Sequence, residues 1–165
     1  MLGSLKEKLG LNKKRGEVLK APLTGKTIAM SDVPDPTFGQ EILGKGVAII
    51  PSVGKVVAPI DGTVEMVFDT KHAISLSSDS GIQLIIHVGL DTVTLKGEPF
   101  TTYVKAGQKV KEGEILLEFD IEAIRTAGLE IITPIVICNS NDYKEITAHV
   151  GKNVNLDDEI LTVIK

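Results

Sequence analysis

The chain is poor in the features that mark several protein classes. It has one cysteine, Cys138, which excludes an intrachain disulfide and an all-cysteine zinc site. No apolar run approaches the ~18 residues that a membrane-spanning helix needs. The N-terminus MLGSLKEKLG carries charges through its middle and no apolar stretch of signal-peptide length. The 16 glycines and 7 prolines follow no period, so a collagen-like repeat is excluded. Excess positive charge is also missing. With 18 Lys and Arg against 22 Asp and Glu, the net charge is −4, which argues against broad nucleic-acid binding. What remains is 165 residues at 42% apolar content, enough for one globular domain with a substantial core. A soluble cytoplasmic protein is the expectation.

The charge is unevenly placed. Residues 1–16 hold Lys6, Lys8, Lys13, Lys14 and Arg15 against Glu7 alone. Leu2, Leu5 and Leu9 fall at helical spacing among them, so the segment reads either as a short basic amphipathic helix for an anionic membrane surface or as a solvated tail. Together with the Met1 start, it predicts a free subunit. Residues 17–165 are expected to form the single folded domain.

From Glu17 onward, Val, Ile and Thr are frequent, and Gly or Pro recurs every several residues. Strands are predicted near 17–20, 47–50, 55–58, 63–68, 73–77, 82–88, 101–104, 115–119, 132–138, 145–149 and 160–164. A short helix is predicted at 121–127, capped by Asp120 and closed by Gly128, with a helical turn near Thr37–Leu43. The expected fold is all-β, an antiparallel sandwich or barrel-sandwich with minor helix. Two internal repeats support it. Ala21-Pro22-Leu23-Thr24-Gly25 is echoed by Ala58-Pro59-Ile60-Asp61-Gly62, and the Gly-x-x-Val stretch at Gly107 by the one at Gly151.

The stretch from Phe68 to Gly89 is a hairpin signature: two β-prone runs around the polar turn Ser77-Ser78-Asp79-Ser80-Gly81. If Asp79-Ser80 form a two-residue loop, Ser78 pairs with Gly81 and His72 falls directly opposite His87, on one face. A register one residue different would put the two on opposite faces. Paired imidazoles can serve as nucleophile, base or metal ligand at neutral pH. Thr70 is placed to fix the ring of His72. Asp91, just after His87, is placed to contact a cationic partner or to fill out a metal site.

The run from Thr70 to Gly81, with Ile86-His87-Val88-Gly89-Leu90-Asp91-Thr92-Val93-Thr94-Leu95-Lys96-Gly97, resembles the glucose-type enzyme IIA of the bacterial phosphoenolpyruvate-dependent sugar phosphotransferase system. The resemblance extends through Asp32-Val33-Pro34-Asp35, Phe38, Gly44–Ile49, Ala58–Thr63, Glu118-Phe119-Asp120 and Thr133–Ile137. It implies an antiparallel β-sandwich and a phosphocarrier. His87 would accept a phosphoryl group from the carrier HPr and pass it to a cysteine of a IIB domain. His72 and Thr70 would support the transfer, and the Gly89 carbonyl would hold the His87 tautomer. Phe38, Leu43, Phe68 and Val93, with Asp91, would line the docking surface. No cofactor is required, although His72 and His87 could share zinc with a partner's carboxylate, and the resemblance also extends to relatives with regulatory partners. Ile74 and Pro36-Thr37 depart from residues carried by some relatives, which bears on partner fit more than on chemistry. His149 matches no motif and reads as a surface residue. Cys138 reads as a small packed hydrophobe.

Two other readings follow from the residues. The Gly-Val hairpins suggest a lipoyl or biotinyl carrier with Lys71 as the modified lysine. His72, His87 and Asp91 suggest a zinc hydrolase.

Overall fold

The computed structural model describes residues 16–165. The basic segment, with its predicted membrane-surface role, lies outside the described residues except for Gly16.

Fourteen strands follow one another: β1 (Glu17–Lys20), β2 (Gly25–Ala29), β3 (Lys45–Pro51), β4 (Lys55–Val57), β5 (Gly62–Val67), β6 (Ala73–Ser78), β7 (Gln83–His87), β8 (Phe100–Thr102), β9 (Lys109–Val110), β10 (Ile115–Phe119), β11 (Thr133–Ile137), β12 (Glu145–Ala148), β13 (Asn153–Val154) and β14 (Glu159–Ile164). Two short helices interrupt them, α1 (Pro36–Gly39) and α2 (Ile121–Thr126). Asp120 caps α2 by accepting from the Ala123 amide at 3.1 Å, as its position before the helix predicts.

All strand pairs are antiparallel. One sheet has eight strands in the order β13-β2-β3-β11-β7-β6-β5-β9, and two have three, β1-β14-β12 and β4-β10-β8. Alternation directs Val47, Ile49, Ile74, Leu76, Leu84, Ile86 and Ile135 of the large sheet into one core with Leu19, Val56, Leu116, Leu117, Leu161 and Val163 of the small ones. The fold is the expected sandwich. No described side-chain polar atom is buried without a hydrogen-bond partner.

The sequence repeats have a structural meaning that their residues did not disclose. Each Ala-Pro segment leads into a strand, β2 or β5, which pairs with a Gly-x-x-Val strand, β13 or β9. Gly25 lies opposite Val154, and Gly62 opposite Val110. The two copies thus build the two edges of the eight-stranded sheet. β2, β9 and β13 were not among the predicted strands, since two to five residues opened by Gly or flanked by charges leave little period to read.

The other face of the large sheet carries a second, smaller core of Met30, Val33, Phe38, Ala48, Leu90, Ile132 and Val136. It is the β2–β3 connection, residues 30–44, that folds over this face. Asp35 accepts from the Thr37 amide at 2.9 Å and Pro36 opens α1, which fixes the entry of Phe38.

Candidate functional site

Ile86 points into the main core, so its neighbour His87 at the end of β7 emerges on the opposite face, beside the smaller core. The hairpin register differs from the expected one. The loop has three residues, Asp79 to Gly81, with Ser78 and Ile82 closing it and Gly81 in the left-handed region at φ +102°. The residue opposite His87 is therefore Ala73, not His72. A type I turn completed by a left-handed glycine competes with the two-residue loop, and the sequence Asp-Ser-Gly accommodates both.

The two rings nevertheless meet, with centroids 4.6 Å apart and planes at 84°. His72 precedes β6 and lies outside its strand alternation. A tight turn brings it there: the Lys71 amide donates to the Phe68 carbonyl at 2.7 Å, and Lys71 itself is left-handed at φ +59°. The Val88 amide then donates to the His72 carbonyl at 2.7 Å, locking the turn to the strand that carries His87.

Each ring has its Nδ1 occupied. His87 Nδ1 donates to the Gly89 carbonyl at 2.8 Å, which leaves a lone pair on Nε2. Thr70 Oγ1 lies 2.7 Å from His72 Nδ1, and a hydroxyl donated there leaves the proton of His72 on Nε2. His72 is 3% exposed, whereas His87 is half-buried. Burial, reinforced by the neighbouring His87, lowers the pKa of His72 to about 4. Burial also lowers that of His87, opposed by the hydrogen bond to Gly89 and by the carboxylates of Asp35 and Asp91. Both rings are accordingly neutral at pH 7.

Phe38 packs against His87 with centroids 4.9 Å apart, and the Phe68 ring meets His72 edge-on at 5.5 Å. Phe38 is 5% exposed, so it forms a wall of the site and not the exposed rim expected of it: the second core closes over its outer side. Leu43 and Val93 are exposed, at 41% and 50%, and Ile42 more so at 67%. Asp91 is exposed and left-handed at φ +59°. The influence of Asp35 on His87 was not foreseen, although an Asp-Pro pair before an aromatic is a readable helix start.

Among the described residues, no three His, Cys, Asp or Glu side chains gather to hold a metal, so Asp91 does not complete a zinc site with the histidine pair. Cys138 is exposed, not packed. His149 is half-buried, with Nε2 at 3.1 Å from Thr162 Oγ1. No described helix is long and apolar enough to cross a membrane.

The site is thus a pair of uncharged imidazoles on one hairpin of a β-sandwich, each with its Nδ1 engaged. The family model for the phosphoenolpyruvate-dependent sugar phosphotransferase system, EIIA 1, matches residues 17–143. Among solved structures, the glucose permease IIA from Mycoplasma capricolum superposes with a TM-score of 0.83 at 31% identity, covering 88% of this chain and 94% of that one. The chain belongs to this EIIA family and is a component of the sugar phosphotransferase system. That membership replaces the lipoyl-carrier reading of Lys71.

Proposed function

We propose that His87 is the phosphoacceptor, receiving the phosphoryl group from phospho-HPr and yielding it to a cysteine of a IIB domain. The observation that carries this reading is the Nδ1–Gly89 hydrogen bond on a ring with an accessible face, since it dedicates the Nε2 lone pair to attack. In the first step a P–Nε2 bond forms on His87 while the P–N bond of the donor histidine breaks, and the electron pair returns to the donor ring. The Nδ1 proton stays in place. As Nε2 gives up its pair, the ring becomes more positive, and the Gly89 carbonyl with Asp35 and Asp91 stabilises that charge. In the second step a thiolate takes the phosphoryl group and the Nε2 pair is restored.

His72 supports both steps as a neutral Nε2–H donor to the phosphoryl oxygens, with its tautomer fixed by Thr70. Little more is needed from the protein, because phosphoryl transfer is governed by alignment and charge stabilisation. Phe38 and Phe68 keep water from the adduct. Ile42, Leu43 and Val93 form an apolar surface for both partners, and Asp91 meets a partner cation. Zinc shared with a partner's carboxylate would need the His72 proton moved from Nε2 to Nδ1, with Thr70 Oγ1 accepting in place of donating, and is a use open only in a complex. The test is incubation with phosphoenolpyruvate, enzyme I and HPr, followed by mapping of an acid-labile phosphate to His87. Phosphate on another residue overturns the assignment.

A further inference from the structure

We propose that Thr92 and the Glu130 carbonyl act as a two-point clamp that aims the Gly89 carbonyl at His87 and thereby sets which ring nitrogen is free to react. The inference deepens the reading of His87 as acceptor and rests on it, and neither clamp residue touches the reacting atoms. Both are positioning groups.

Gly89–Leu90 is one planar peptide unit, in which carbonyl and amide point in opposite directions. Its carbonyl accepts from His87 Nδ1 at 2.8 Å, and its amide donates to the Glu130 carbonyl at 3.0 Å. Holding the amide toward Glu130 therefore directs the carbonyl toward the ring, and the outer hydrogen bond polarises the inner one. The preceding peptide unit is held as well. Thr92, fully buried, donates its hydroxyl to the Val88 carbonyl of the 88–89 plane, while the 87–88 plane is engaged through the Val88 amide by the His72 carbonyl. Three consecutive peptide planes are thus anchored from outside the ring.

The packing leaves no slack. Gly89 has φ +75°, and a Cβ there would lie 2.5 Å from Thr92 Cγ2 and 2.8 Å from the Glu130 oxygen. Both groups of the clamp abut the same glycine from different segments, one from the turn after β7 and one from the loop before β11. Among the described residues, the buried hydroxyl has no hydrogen-bond partner other than the Val88 carbonyl. Without the clamp, rotation of the 89–90 plane would turn the carbonyl away, and the ring would populate the Nε2–H tautomer, which has no lone pair at the reactive nitrogen.

The experiment compares wild type, Thr92→Val and Thr92→Ser by long-range proton–nitrogen NMR of the labelled imidazoles, without any phosphoryl donor. Thr92→Val keeps the methyl packing and loses the hydroxyl. The ratio of Nε2–H to Nδ1–H tautomer on His87 should rise roughly fivefold, as expected for one lost hydrogen bond. The rate of labelling by phospho-HPr should fall in step with the Nδ1–H population that is lost. Thr92→Ser should restore tautomer and rate even if its melting temperature drops, which a purely structural role would not produce. A Thr92→Val protein with the wild-type tautomer overturns the clamp. If that variant does not fold, hydroxyl-proton exchange in wild type decides: slow exchange at Thr92 supports the clamp and fast exchange overturns it. Wild-type protein that takes no phosphate on His87 fails the acceptor assignment instead, because the tautomer is read without transfer.

Discussion

The two edges of the large sheet are built alike, yet the connections that follow them differ threefold in length. β2 runs into β3 through the fifteen residues 30–44, and β5 into β6 through the five residues 68–72. Both end at the histidine pair. The short one is a hydrogen-bonded turn and delivers Phe68, Thr70 and His72, with Thr70 Oγ1 set on His72 Nδ1. The long one builds its own small core, sets Phe38 against His87 and leaves Ile42 and Leu43 in solvent. On the proposed function, one repeated frame has two offices: the tight turn holds the chemistry, and the long excursion offers the docking surface. Precision follows from brevity, because each added residue of a connection brings further backbone freedom that must be ordered.

Substitutions can break this division. His87, which both connections face, is the common point, and His87→Ala should abolish phosphate labelling while leaving the fold intact. Full labelling of the alanine protein would refute the acceptor assignment. In the short connection, His72→Ala should slow transfer about 100-fold, in line with the removal of one transition-state donor, with HPr affinity changed little. Single-turnover rates and titrations by calorimetry separate the two effects. The long connection should behave in the opposite way. Leu43→Asp is expected to weaken HPr binding roughly tenfold, as for loss of an apolar interface contact, with the rate at saturation unaltered. A slowed rate at saturation would dissolve the comparison.

Acid sharpens it further. The native pKa of His72 is about 4, below the unfolded value of 6.5, so the unfolded chain binds more protons between these limits. Stability present above pH 6.5 is lost as pH falls toward 4, by roughly 3 kcal/mol for this residue, and His87 contributes with the same sign. Urea midpoints measured at pH 7 and 4.5 should draw together in a His72→Gln variant. Thr70→Val gives the smallest effect, about threefold on transfer, since it removes one orienting hydrogen bond.

Much of this was legible in the residues. β-branched runs between turn residues foretold most strands, and Asp120 with Gly128 foretold α2. The histidine pair was legible for a reason that did not hold: the expected two-residue loop gave way to three, and the left-handed Lys71, not strand alternation, turned His72 to its partner. A positive φ at a lysine has no sequence signal. The burial of Phe38 was hidden because its cover comes from Met30, Val33 and Leu90, whose packing over Ala48 is a tertiary fact. Thr92 lay in plain view within a recognised motif, but the clamp proposed for it involves a carbonyl 38 residues further along.

The rings stand on one hairpin, 15 residues apart, whereas Phe38 precedes His87 by 49 residues and Glu130 follows it by 43. The reactive groups are therefore local in the chain, and their surroundings are not. During folding, contacts between distant segments wait on the closure of long loops. A hairpin formed early would hold two wet imidazoles titrating near 6.5, and only the arrival of the distant segments would drive His72 down to about 4. Proton release during refolding at pH 5.5 would therefore time the burial of the histidine pair itself, as distinct from the formation of the hairpin that carries it.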